Sequence, residues 1–115
     1  MGTTAPSGTI TFVFTDIEGS TRLWADHPGR MRPALARHDE IVRDTTDECG
    51  GYLFAAAGDS FGVAFDRARV AVRFAELVQD RISVERWPEP VEIRVRIGLH
   101  TGEADERGAT TSVRR

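Results

Sequence analysis

Thr9-Ile10-Thr11-Phe12-Val13-Phe14-Thr15-Asp16-Ile17-Glu18-Gly19-Ser20-Thr21 is the stretch on which the reading of this chain turns. Its first seven residues are β-branched or aromatic, with Ile10, Phe12 and Phe14 on one face and Thr11, Val13 and Thr15 on the other. Both faces are apolar enough to be covered, which predicts a central strand. Asp16 ends the run, and a glycine-containing turn through Ile17, Glu18, Gly19 and Ser20 leads into a short helix carrying Leu23 and Trp24. His27, Pro28 and Gly29 break that helix.

Downstream, Met31, Leu35, His38, Ile41, Val42, Thr45 and Cys49 recur at three- and four-residue steps, predicting a longer helix that Gly50 and Gly51 end. Residues 52–57 and 60–65 read as two short strands joined by Gly58-Asp59, a hairpin signal. Asp66 is placed to cap the next helix, whose stripe is Val70, Ala71, Phe74, Ala75, Val78 and Ile82. Val91, Ile93, Val95, Ile97 and Leu99 alternate with Glu92, Arg94, Arg96, Gly98 and His100, predicting a last strand near a sheet edge with one face wet. Periodicity then disappears, so residues 104–115 are expected to be an irregular tail, and residues 1–8, small and polar, a flexible start.

Strand, helices, strand, strand, helix, strand is the split βαβ order. It predicts an α+β, ferredoxin-like βαββαβ core with helices on one face of an antiparallel sheet, spanning residues 9–103. In that topology the third strand lies between the first and second. The end of the first strand and the Gly58-Asp59 hairpin therefore meet at one edge, making Asp16 and Asp59 neighbours.

Composition narrows the function. At 115 residues, 40% hydrophobic and 29% charged, the chain has room for one core and one site. A formal charge of −3 and no basic tract argue against nucleic acid as a partner. No apolar run is long enough for a bilayer, and the start does not resemble a signal peptide, so a cytoplasmic protein with no membrane partner is expected. The single cysteine, Cys49, excludes an internal disulfide and a cysteine-based zinc site. All 15 basic residues are arginine, and neither lysine nor asparagine occurs, which excludes a P-loop.

Two carboxylates converging beside a turn that opens a helix suit a magnesium-like cation together with phosphate. Oxygen ligands favour hard cations, while N–H groups of residues 17–21 can face phosphate oxygens. Spacing alone also supports, and favours, a plainer account in which Asp16 caps the first helix and Gly58-Asp59 are turn residues.

The residues at these positions resemble the catalytic domain of class III adenylate and guanylate cyclases. Phe12-Val13-Phe14-Thr15-Asp16-Ile17-Glu18-Gly19-Ser20-Thr21 is similar to the first metal motif of that family, and Ala57-Gly58-Asp59-Ser60-Phe61 to its second. Val95-Arg96-Ile97-Gly98-Leu99-His100-Thr101-Gly102-Glu103 is similar to the later strand. The resemblance implies a two-metal reaction, with Mg2+ or Mn2+, converting ATP or GTP to a cyclic nucleotide and pyrophosphate. Asp16 and Asp59 would hold the metals, with the Ile17 carbonyl as a further ligand. The turn of Ile17, Glu18, Gly19, Ser20 and Thr21 would cradle the terminal phosphates, and Glu18 would serve in that turn rather than as a third ligand.

The same resemblance marks departures. Ala55 stands where the family has its base-selecting lysine. The asparagine that orients the ribose and the arginine that stabilises the transition state belong to a segment after Glu103, resembling Asp-Tyr-Phe-Gly-Pro, that does not occur here. Residues 109–115 have a possible codon reading whose shift by one base yields Gly-Asp-Tyr-Phe-Gly-Pro-Ser, so a frameshifted tail is expected; other codons in the gene would refute it. Loss of one transition-state donor typically costs on the order of a hundred- to a thousandfold in rate. The chain is expected to be a C-terminally truncated cyclase domain, inactive or very weak alone. It would act as a homodimer or a heterodimer with an intact cyclase; the alternative is a non-catalytic nucleotide-binding or interaction module.

Other residues carry plainer expectations. His38 falls on an apolar stripe and reads as a packed, hydrogen-bonded core residue, His27 and His100 likewise as non-ligands, and Cys49 as a small, unreactive thiol. Arg94 and Arg96 read as solvated residues that discourage strand pairing.

Overall fold

The computed structural model describes the backbone of residues 8–107 and 110–114 and the side chains of residues 8–104. Strand β1 (Gly8–Ile17) is followed by helices α1 (Ser20–Asp26) and α2 (Pro28–Cys49), strands β2 (Tyr52–Ala57) and β3 (Ser60–Phe65), helix α3 (Ala68–Val84), and strands β4 (Val95–Arg107) and β5 (Thr110–Arg114). The sheet order is β2-β3-β1-β4-β5, with every neighbouring pair antiparallel. This is the expected α+β core, with β1 at its centre and a fifth strand added.

The two faces of β1 serve different neighbours. Val13 and Ile17 join Val63 and Phe65 of β3 beneath Ile41 and Val42 of α2 and Phe74, Val78 and Ile82 of α3, forming the main core. Ile10 and Phe12 point the other way and pack with Ala64 and Ala104, with Tyr52 and Phe54 alongside. Hence both faces of the opening stretch are apolar. Arg81 ties the two long helices together: it forks onto Glu48 at 2.6 and 2.9 Å and donates to Thr45 at 2.9 Å. Gln79 donates to the Val95 carbonyl at 3.1 Å, fastening α3 to the start of β4.

Several boundaries differ from those expected, each for a local reason. Pro28 and Gly29 end α1 but also begin α2, because proline at the first helical position loses no hydrogen bond. Ala34, rather than Leu35, is the fully buried residue of that turn. Arg67, not Asp66, occupies the N-cap of α3, and no side chain caps it. The last strand begins at Val95, not Val91, because β1 runs out there: Ile17 pairs with Val95 and the Glu18 N–H donates to the Arg94 carbonyl at 2.8 Å. Val91 and Ile93 stay buried without strand pairing.

The expected irregular tail is corrected over residues 104–107 and 110–114. β4 continues through Arg107, and β5 returns along it from Thr110 opposite Arg107 to Arg114 opposite Glu103. Backbone pairing needs no alternation of apolar side chains, so periodicity was a poor guide there. β4 is consequently an interior strand rather than an edge. Gly8, assigned to the flexible start, pairs with Ala104; residues 1–7, 108, 109 and 115 lie outside the described residues. Among the described residues no helix is long and apolar enough to cross a membrane.

Candidate active site

The end of β1 and the β2–β3 hairpin meet as the topology requires. Gly58 has φ of 60° while Asp59 has negative φ, the sign pattern of a type II′ turn, in which glycine at the first central position avoids a Cβ clash. That turn aims the Asp59 carboxylate at the end of β1, where Oδ2 accepts the Ile17 N–H at 3.2 Å. Ile17 itself is anchored by its buried side chain. The Ile17 backbone is thus held between the hairpin and the core, with Asp16 next to it.

The plainer role for Asp16, capping the first helix, does not survive, whereas Gly58 and Asp59 are turn residues as that account has it. Gly19, in the left-handed region with φ of 65°, is the N-cap of α1, and no side chain caps that helix. Asp16 instead engages Arg96, the residue opposite it on β4: Nε donates to Oδ1 and Nη2 to Oδ2, both at 2.8 Å. This bidentate pair holds the Asp16 carboxyl below its ordinary range, chiefly through the hydrogen bonds from Arg96. Arg96 is correspondingly held more firmly protonated, first by its hydrogen bonds to Asp16 and then by the charges of Asp16, Glu18 and Asp59.

Arg96 is the site residue that the sequence reading missed. Alternation shows only that it faces away from the helices, like Arg94. Its partner follows from the β1–β4 register, which sets an arginine directly across from the aspartate that ends β1. Arg94 does fit the solvated reading, with only a long 3.4 Å contact to Glu92.

Behind Asp16 a cleft of about 460 Å³ opens on the sheet face away from the helices, bordered by Asp16, Arg96, Ala55, Ser60, Gly62 and Gly98. Ala55, the predicted base-selecting position, lines it with a methyl group only. A register shift between Leu53 and Ala55 makes Phe54 an extra residue in β2. Its ring stands edge-on to Phe12 and Phe14 at 5.5 and 5.8 Å and covers Gly62, where a Cβ would lie 2.8 Å from the ring. Gly98, by contrast, has open space above it. Phe14, between these two glycines in the sheet, is 45% exposed and forms an apolar floor.

The turn of residues 17–21 is only partly available to a ligand. The N–H groups of Ile17 and Glu18 are already donated to Asp59 and to the Arg94 carbonyl. Those of Gly19, Ser20 and Thr21 precede the first α1 bond, made by the Leu23 N–H to the Gly19 carbonyl, and have no acceptor among the described residues. Three of the five donors are without a protein acceptor among the described residues.

The donor set suits a hard divalent cation shared with a substrate. Asp16, Asp59 and the Ile17 carbonyl offer oxygen alone, and among the described residues no group of three or more His, Cys, Asp and Glu side chains gathers into a closed cage. Two carboxylates beside free N–H groups match a cation completed by phosphate oxygens. His38 is fully buried, with Nδ1 bonded to Asp39 at 2.9 Å and its ring 5.8 Å from that of Phe61, and burial raises the Cys49 thiol above its ordinary range.

Comparison with known proteins agrees with this fold. An adenylate cyclase of Podospora anserina is 36% identical over 118 aligned residues, covering 86% of this chain and 6% of that protein. A receptor-type adenylate cyclase of Trypanosoma congolense is 41% identical over 78 residues, 68% of this chain and 10% of its own length. The chain therefore spans a small part of these relatives. A Trypanosoma brucei adenylate cyclase solved in its monomeric state superposes with a TM-score of 0.84 at 27% identity, covering 96% of this chain and 66% of that one. The guanylate cyclase domain of RhGC from Catenaria anguillulae, solved with GTP, shares the fold at a TM-score of 0.77 and 22% identity, over 86% of this chain and 59% of that one. With the family model for the adenylate and guanylate cyclase catalytic domain matching residues 3–112, the chain belongs to that family.

Proposed function

We propose that this chain is the metal-holding half of a nucleotidyl cyclase site, acting on ATP or GTP with Mg2+ or Mn2+ to form a cyclic nucleotide and pyrophosphate. The observation that carries this reading is the convergence at Ile17, whose N–H is bonded to Asp59 while Asp16 stands beside it at the mouth of the cleft. Asp16, Asp59 and the Ile17 carbonyl supply the metal ligands. Metals bound there would acidify the attacking 3′-hydroxyl, align it with the α-phosphorus and neutralise charge on the departing pyrophosphate. The N–H groups of Gly19, Ser20 and Thr21 orient the terminal phosphates, and the cleft behind Asp16 receives the rest of the nucleotide. With Ala55 and no lysine in the chain, base selection is not made by an ammonium group here.

An asparagine to orient the ribose is absent from the 115 residues, so alone the chain turns over at a small fraction of the rate of a complete site. Pairing with an intact cyclase supplies the missing groups. The test measures cyclic nucleotide formed from ATP and from GTP, first with the chain alone and then with an intact cyclase whose own metal aspartates have been replaced by alanine. Activity that appears on mixing and disappears with Asp59→Ala is the expected result. Absence of rescue, together with absence of metal-dependent nucleotide binding, would sink the reading. The bidentate engagement of Asp16 by Arg96 favours one second reading, a non-catalytic nucleotide-binding module. Metal-dependent binding with no turnover in any mixture would select it.

A further inference from the structure

Arg96 occupies both carboxylate oxygens of Asp16 and lies in the combined field of Asp16, Glu18 and Asp59. Its guanidinium is a resident cation at the place where a divalent cation is needed. Among the described residues Asp16 is its only hydrogen-bond partner, and its side chain is 66% exposed, so it can leave without disturbing the core. We infer that Arg96 is a built-in competitor of the divalent metal, a positioning residue that holds the Asp16 carboxylate when the cation is absent and must release it for the cation to bind. This inference rests on Asp16 and Asp59 being metal ligands.

The physical basis is direct. Two cations cannot share the favourable side of one carboxylate, because a guanidinium fork uses both oxygens and its charge repels a divalent ion a few ångströms away. An exposed ion pair of this kind should weaken metal binding by about two- to fivefold through competition. Its charge adds a further factor of up to about two at low ionic strength. Arg94, two residues away and paired only weakly with Glu92, carries the same charge without the fork. It separates the two effects.

The test is Mn2+ affinity of the purified chain, read from the electron spin resonance signal of free Mn2+ at low salt, with no nucleotide and no turnover. Arg96→Gln should tighten binding about three- to tenfold. Arg96→Lys, which keeps the charge but loses the fork, should gain less, and Arg94→Gln should change binding by less than about twofold. Added salt should narrow the gap between wild type and Arg96→Gln. Unchanged or weaker binding in Arg96→Gln, while wild type binds Mn2+ in an Asp59-dependent way, overturns the competition and leaves the metal site standing. An equal gain in Arg94→Gln also overturns it, reducing the effect to net charge. If neither wild type nor Arg96→Gln binds Mn2+, the metal site fails and the competition with it.

Discussion

Asp59 does two things that can be measured apart, accepting the Ile17 N–H and offering oxygen to a cation. Asp59→Ala should abolish Mn2+ binding, and it should also free the Ile17 amide, whose hydrogen exchange, followed by NMR, should quicken. The lost hydrogen bond should cost about 1 kcal/mol in chemical denaturation. Cys49 offers a second residue-level test. Burial is the main cause of its raised thiol pKa, with the Glu48 charge adding to it. The thiolate that reacts is therefore scarce at neutral pH, and iodoacetamide should modify Cys49 several times more slowly than free cysteine. Of these features, Asp59 at the site was legible in the sequence. The Asp16–Arg96 pair was not, since its members are far apart in the chain and meet only through strand register.

At the scale of elements, two glycines on the same sheet face should respond oppositely to alanine. A Cβ at Gly62 in β3 meets the Phe54 ring at 2.8 Å, whereas one at Gly98 in β4 meets nothing within 4 Å. Gly62→Ala should destabilise by about 1–3 kcal/mol, and Phe54→Leu in the same chain should recover part of that loss. Gly98→Ala should be neutral or stabilising by up to about 1 kcal/mol, because it removes backbone freedom from the unfolded chain. Thermal melts of the three variants and the double variant check both statements. Helix α3 makes the larger contribution: Phe74→Ala, at a fully buried position beside Phe65, should cost about 3–5 kcal/mol. That stripe was readable from its 3.6-residue period. The extra residue at Phe54, which aims the ring over Gly62, left no periodic trace.

For the whole molecule, acid stability should follow the carboxylates held low by arginine. Asp16 is lowered by its hydrogen bonds from Arg96, and Glu48 by those from Arg81. Because their folded pKa values lie below the unfolded ones, their contribution is complete above the ordinary carboxylate range and declines as pH falls through the folded values. Stability should thus be level near neutrality and fall below about pH 4, with a smaller drop in Arg96→Gln and in Arg81→Gln. Denaturation midpoints at pH 7 and in acid measure it. Both pairs are exposed, so added salt should shrink the difference.

Element order, the helical stripes, the hairpin at Gly58-Asp59 and the meeting of that hairpin with Asp16 were all determined by the sequence. Each depends on local periodicity, on turn chemistry or on a chain order that admits few topologies. Tertiary structure alone decided the rest. Pairing along β4 turned the aperiodic residues 104–107 and 110–114 into strand, because backbone hydrogen bonds are indifferent to the pattern of side chains. Register placed Arg96 across from Asp16 and committed the Glu18 N–H to the Arg94 carbonyl, while the β2–β3 hairpin committed the Ile17 N–H to Asp59. The contacts of Asp16 and Ile17 join residues 42 to 80 positions apart, and their meeting depends on how the strands align rather than on any local pattern.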